Sequence, residues 1–127
     1  MSHQLETIIG YKFKNPELLE IALTHTSYAN ESRTPVKHNE RLEFLGDAVL
    51  DAVVGDIVFR HFPGKREGFL TTTRSKLVQR ETLNHLAKEM GINKLILSSG
   101  HQSGHNSNMA GNAFEALVGA IYLAKGY

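Results

Sequence analysis

Six side chains with oxygen donors recur at helical spacing in two largely apolar stretches of this 127-residue chain. In the first stretch Glu40, Glu43 and Asp47 fall three and four residues apart, and Asp51 follows four later, so on a helix they form one acidic stripe. Like charges at that spacing repel, and no Lys or Arg lies between Leu42 and Phe59 to offset them. Leu42, Phe44, Leu45, Val49, Leu50, Val53, Val54 and Ile57 put apolar groups on nearly every face, the pattern of a buried helix. Buried carboxylates without a partner are costly, so a divalent cation is the expected compensation. In the second stretch Glu115 is the single charged residue between Gly111 and Ala124, with Asn112 three residues before it. Glu43, Asp47, Glu115 and the amide oxygen of Asn112 together would make an oxygen-only shell of the kind Mg²⁺ takes, with Mn²⁺ as a substitute. Such a site suits phosphodiester hydrolysis. The plainer reading is that Asp47 and Glu115 cap helices or pair with distant arginines.

These groups must be positioned by helices, and the sequence predicts several. Ser2 caps a short helix through 9, ended by Gly10. Asn15-Pro16 supplies an N-cap and a first-turn proline for a helix over 16–25. Residues 28–38 lack an apolar period and read as a loop. The acidic helix is expected over 39–60, followed by a turn at Phe62-Pro63-Gly64-Lys65. Further helices are expected over 67–77 and 81–90, the latter closed by Gly91 in a left-handed C-cap. Residues 92–97 are either a single turn or a brief extended piece, and 98–108 are a polar loop. A last helix spans 109–124 and is expected to face the acidic one. The fold class is therefore all-α, a single domain.

Composition narrows the function classes. Fourteen Lys plus Arg against 13 Asp plus Glu give a formal +1, so no overall basic field marks a nucleic-acid partner. Cysteine is absent, which excludes disulfides and thiolate metal sites. No segment approaches the roughly 20 apolar residues of a membrane span, and Met1-Ser2-His3-Gln4 does not begin a secretory signal. A cytoplasmic protein without membrane contact is expected.

Residues 38–51, HNERLEFLGDAVLD, closely resemble the signature of the ribonuclease III family, the double-strand-specific RNA endonucleases. Thr24-His25-Thr26-Ser27-Tyr28-Ala29-Asn30-Glu31, Arg74-Ser75-Lys76-Leu77-Val78 and the block from Phe114 to Leu123 look like other blocks of that family in the same order. The resemblance implies the family's endonuclease-domain fold and Mg²⁺-dependent cleavage of double-stranded RNA in RNA processing, ribosomal RNA maturation and RNA decay, with no small-molecule substrate. Glu43, Asp47 and Glu115 match its metal-binding acids, and Glu40 matches a supporting acid near the cleft. Arg74 matches an arginine packed near the active-site helix. Phe44 matches an aromatic residue that enters the partner subunit of a homodimer, whose single cleft holds two metal sites.

Two departures accompany the resemblance. Asn112 stands where the family usually has Asp, keeping an oxygen ligand and losing its charge. The family usually continues into a further helix and a double-stranded RNA-binding domain, and neither is expected within this chain. An alternative function therefore stays open: a catalytically impaired relative that binds double-stranded RNA or serves as a scaffold.

Arg33, Lys37, Lys65, Arg66, Arg74 and Lys76 are candidates for joint contact with RNA phosphates; each singly also reads as an ordinary surface charge. His101 and His105 share a zinc-compatible spacing, but Ser99, Gly100, Ser103 and Gly104 argue against the helix it needs. A di-iron type carboxylate bundle requires Glu-x-x-His pairs. Val118 and Gly46 occupy those histidine positions here, which rules it out.

Overall fold

A computed structural model describes residues 6, 7, 9–98 and 108–126. Six α-helices are placed among them: α1 (Pro16–Ala22), α2 (Thr26–Glu31), α3 (Glu40–His61), α4 (Glu67–Val78), α5 (Arg80–Glu89) and α6 (Asn108–Lys125), with a 3₁₀ turn at Ile92–Lys94. The all-α expectation holds, and the sole β-type feature among the described residues is an isolated bridge between Thr24 and Leu97.

The centre of the molecule is α6. Its buried residues Met109, Ala110, Gly111, Ala113, Ala116, Leu117, Gly119 and Ala120 are mostly small, so neighbouring helices approach closely on several sides. It packs against α3, α5, α1 and the 3₁₀ turn, while α4 lies against α3 and α5. Leu19, Ile92 and Leu117 are the largest fully buried side chains in the core between them.

The acidic helix departs from its expected burial. Only Leu42, Gly46 and Val58 of α3 are buried. Phe44 is 82% exposed, Phe59 67% and Ile57 56%, so the described residues leave an apolar face of α3 uncovered. Among the described residues, α6 and α4 cover part of this helix.

The start of the chain also differs from the local reading. Asn15 caps α1 through its side-chain oxygen, and Pro16 opens the helix as expected, yet α1 stops at Ala22 rather than near 25. There the chain joins the segment around Leu97: His25 N–H donates to the Leu97 carbonyl at 2.8 Å and Leu97 N–H to the Leu23 carbonyl at 2.8 Å. The neutral Nδ1 of His25 then accepts from Ser27 N–H and starts α2, which occupies the first residues of the expected loop. Asn39 precedes α3 without capping it. Its Nδ2 donates instead to the Ala22 carbonyl at 3.1 Å, and its N–H to the Thr24 carbonyl at 3.0 Å, tying the start of α3 to the end of α1.

Elsewhere the boundaries fall within a residue or two of expectation. Gly91 has φ +82°, the left-handed C-cap predicted for the fifth helix. Residues 92–97 realise both alternatives, a 3₁₀ turn and then the bridged Leu97. Glu6, Thr7 and Ile9 are helical and Gly10 follows at φ +71°, whereas the cap expected at Ser2 lies outside the described residues, as do His101 and His105.

Candidate active site

Two contacts between helices fix the site. Gly46 of α3 meets α6 so tightly that a Cβ there would overlap the Glu115 carbonyl oxygen, and Gly119 of α6 correspondingly abuts the Leu42 carbonyl. Only glycine permits backbones this close. Asp47 follows Gly46 directly, and Glu115 is itself the contact residue, so the helix crossing brings the two carboxyl groups together. The second contact fixes the start of α6: Asn84, buried on α5, accepts from Gly111 N–H at 2.7 Å, and its Nδ2 donates to Asn108 Oδ1 at 3.4 Å. Asn112 is the next residue, so α5 sets the position from which it faces the site.

Glu40, Glu43, Asp47, Asn112 and Glu115 all line one cleft of about 750 Å³. The five share this cleft, with α3 on one wall and α6 on the other. Burial first, then a side-chain hydrogen bond with Asp47 and the charges of Asp47 and Glu43, lift the Glu115 pKa to about 8. Glu43 is also raised, chiefly by burial and then by Glu40. Both shifts have one origin: acids gathered where water is partly excluded favour the neutral form. Among the described residues no group of three or more acid or histidine side chains is arranged to hold a metal ion.

The basic candidates are spread more widely. Arg33, Lys37, Lys65, Arg66 and Lys76 are exposed and stand outside the cleft. Lys65 sits over the Phe69 ring, 5.1 Å from its centroid, at the turn joining α3 to α4. That turn is roughly 22 Å along α3 from Asp47, at 1.5 Å per residue. Arg74 is half-buried on α4 with its guanidinium against α3 at Gly55, two helical turns beyond Asp47.

Sequence reasoning passed over three residues of this site. Arg80, in the first turn of α5, lines the cleft and acts electrostatically on both Glu43 and Glu115, pulling their pKa values down against the dominant upward effects. His25 lines it too, with its pKa lowered by burial. Asn84 is the third. Nothing local distinguishes Arg80 or His25 from surface residues, whereas an Asn on the apolar stripe Leu83, Ala87 and Met90 was a usable signal for Asn84.

A family model described as ribonuclease-III-like matches residues 15–127. Ribonuclease 3 of Bacteroides fragilis is 63% identical over 122 residues, covering 94% of this chain and 42% of its own length. Ribonuclease 3 of Bdellovibrio bacteriovorus is 50% identical over 130 residues, covering 97% of this chain and 54% of its own. The chain thus spans about half or less of the length of these relatives. Among solved structures, the nuclease domain of Campylobacter jejuni ribonuclease III superposes with a TM-score of 0.88 at 38% identity, covering 97% of this chain and 85% of that one; it was described for flexibility in a region involved in dimer formation.

Proposed function

Because the chain belongs to the ribonuclease-III-like family, we propose that it is an endoribonuclease domain that hydrolyses phosphodiester bonds of double-stranded RNA with a divalent cation, Mg²⁺ or Mn²⁺. The observation that carries this reading is the carboxyl pair Asp47–Glu115 at the crossing of α3 and α6, with the Glu115 pKa raised to about 8. A proton there offsets negative charge that a cation would otherwise offset. The donor set fits a hard cation: Glu43, Asp47 and Glu115 would supply carboxylate oxygens and Asn112 a neutral amide oxygen. When bound, such an ion neutralises charge on the phosphodiester and lowers the pKa of an attacking water. The residues of the chain orient it. Gly46 and Asn84 hold the two walls in register, and Glu40 supports the site from the cleft edge.

The uncovered face of α3 supports a homodimer. Phe44, at 82% exposure beside Glu43, is a large aromatic next to the acids, and a second copy would bury it. Arg33, Lys37, Lys65, Arg66, Arg74 and Lys76 serve the RNA backbone away from the cleft. The protein acts in the cytoplasm; among the described residues no helix is long and apolar enough to cross a membrane.

The test is incubation of the protein with a long RNA duplex and Mg²⁺ or Mn²⁺, beside Glu115→Ala and Asn112→Asp. Cleavage by the native chain and none by Glu115→Ala is the expected result. Cleavage by Asn112→Asp alone would replace the enzyme reading with that of an impaired, RNA-binding relative, and activity surviving Glu115→Ala would remove the site assignment.

A further inference from the structure

We propose that Arg80 is the phosphate-binding residue of the cleft, contacting the RNA backbone beside the acids. This rests on the endoribonuclease reading and names the residue that lets an anionic substrate enter an acidic site.

The cleft is strongly acidic. Among the described residues its lining holds four acids, Glu40, Glu43, Asp47 and Glu115, and a single permanent cation, Arg80. His25, the other basic-type lining residue, is held toward its neutral form by burial and uses Nδ1 to accept from Ser27. A phosphodiester approaching such a surface is repelled unless a cation meets it. Arg80 stands within electrostatic range of both Glu43 and Glu115, yet among the described residues it forms no ion pair or hydrogen bond with either. Its side chain is exposed, so the five donors of the guanidinium remain open to a ligand. Arg60 makes the contrast: it is also exposed, but its Nε is committed to Asp56 at 2.7 Å. A guanidinium fork matches phosphate oxygens in a bidentate manner, which a lysine does not. Placement matters as well. Arg80 enters from α5, which packs against α6, so a phosphate it holds lies next to Glu43 and Glu115.

The experiment measures binding of an RNA duplex to the full chain carrying Glu115→Gln, which prevents turnover, over a series of NaCl concentrations. Arg80→Gln, Arg80→Lys and Arg60→Gln are each added to that background. A phosphate contact contributes close to one unit to the slope of log K against log salt. Arg80→Gln is expected to lower that slope by about one and weaken binding. Arg80→Lys should restore the slope but bind more weakly than Arg80, and Arg60→Gln should leave the slope unchanged. In the cleaving protein Arg80→Gln should raise KM. An unchanged slope and affinity in Arg80→Gln overturns the proposal, as does an equal loss in Arg60→Gln. Absence of duplex binding and cleavage with Arg80 intact overturns the endoribonuclease reading instead. Circular dichroism of each variant confirms the fold, which an exposed first-turn residue leaves intact.

Discussion

Gly46 of α3 and Glu115 of α6 touch through backbone alone, the glycine Cα packed against the glutamate carbonyl. The contact joins the structural centre to the chemical one, because Asp47 is the next residue after the glycine and its carboxyl bonds to that of Glu115. A single added methyl at position 46 would therefore disturb packing and site together.

Gly46→Ala is expected to cost at least about 1–3 kcal/mol of stability, the usual penalty of overpacking, since backbone cannot yield as a side chain can. Gly64→Ala is the control, for a Cβ there meets nothing within 4 Å. Thermal unfolding of the two variants checks the difference, and duplex cleavage should fall sharply only in Gly46→Ala.

The pH dependence of stability follows from Glu115. Its folded pKa, about 8, lies above the usual 4.5, so the folded state binds the proton more tightly than the unfolded chain. The associated stability is fully present below about 4.5 and is lost as pH rises toward 8. Glu43, shifted in the same direction, adds to the trend. In chelator the melting temperature should fall across that window, and Glu115→Gln should flatten the fall. Added Mg²⁺ should raise the melting temperature more near pH 8 than near pH 5, because it competes with the proton. Equal effects at both pH values would count against a cation at these acids.

Phe44→Ala separates self-association from folding. An 82% exposed side chain contributes little to the monomer, so unfolding of the isolated chain should shift by no more than about 0.5 kcal/mol. As a central aromatic anchor of a dimer it should weaken association by about 2 kcal/mol or more. Sedimentation or gel filtration over a concentration series measures this as a lower mean mass; an unchanged mass would move the dimer contact elsewhere.

Asn84→Ala tests the link between α5 and α6. Removing the side chain leaves the buried Gly111 N–H without its acceptor, at a cost of about 1–3 kcal/mol. Asn112 follows directly, so duplex cleavage should drop even at temperatures where the variant is fully folded. Asn84→Asp, which retains the acceptor oxygen, should recover more of the activity than Asn84→Ala.

Local chemistry by itself determined much of this protein. Asn15-Pro16 and Gly91 mark a helix start and a helix end through groups that act within a few residues, and the 3.6-residue period carried α3, α4, α5 and α6 almost to their ends. The acids of the site were legible for the same reason: charge at helical spacing in an apolar stretch stands out along the chain. Tertiary structure decided what depends on partners distant in sequence. The pull of Leu97 on the 23–25 segment ended α1 early and let His25 start α2. Arg80 acquired its place only because α5 crosses the mouth of the cleft. The uncovered face of α3 is likewise a tertiary result: a pattern apolar on every side states how much surface must be buried, while the arrangement of neighbouring helices decides which part this chain covers for itself.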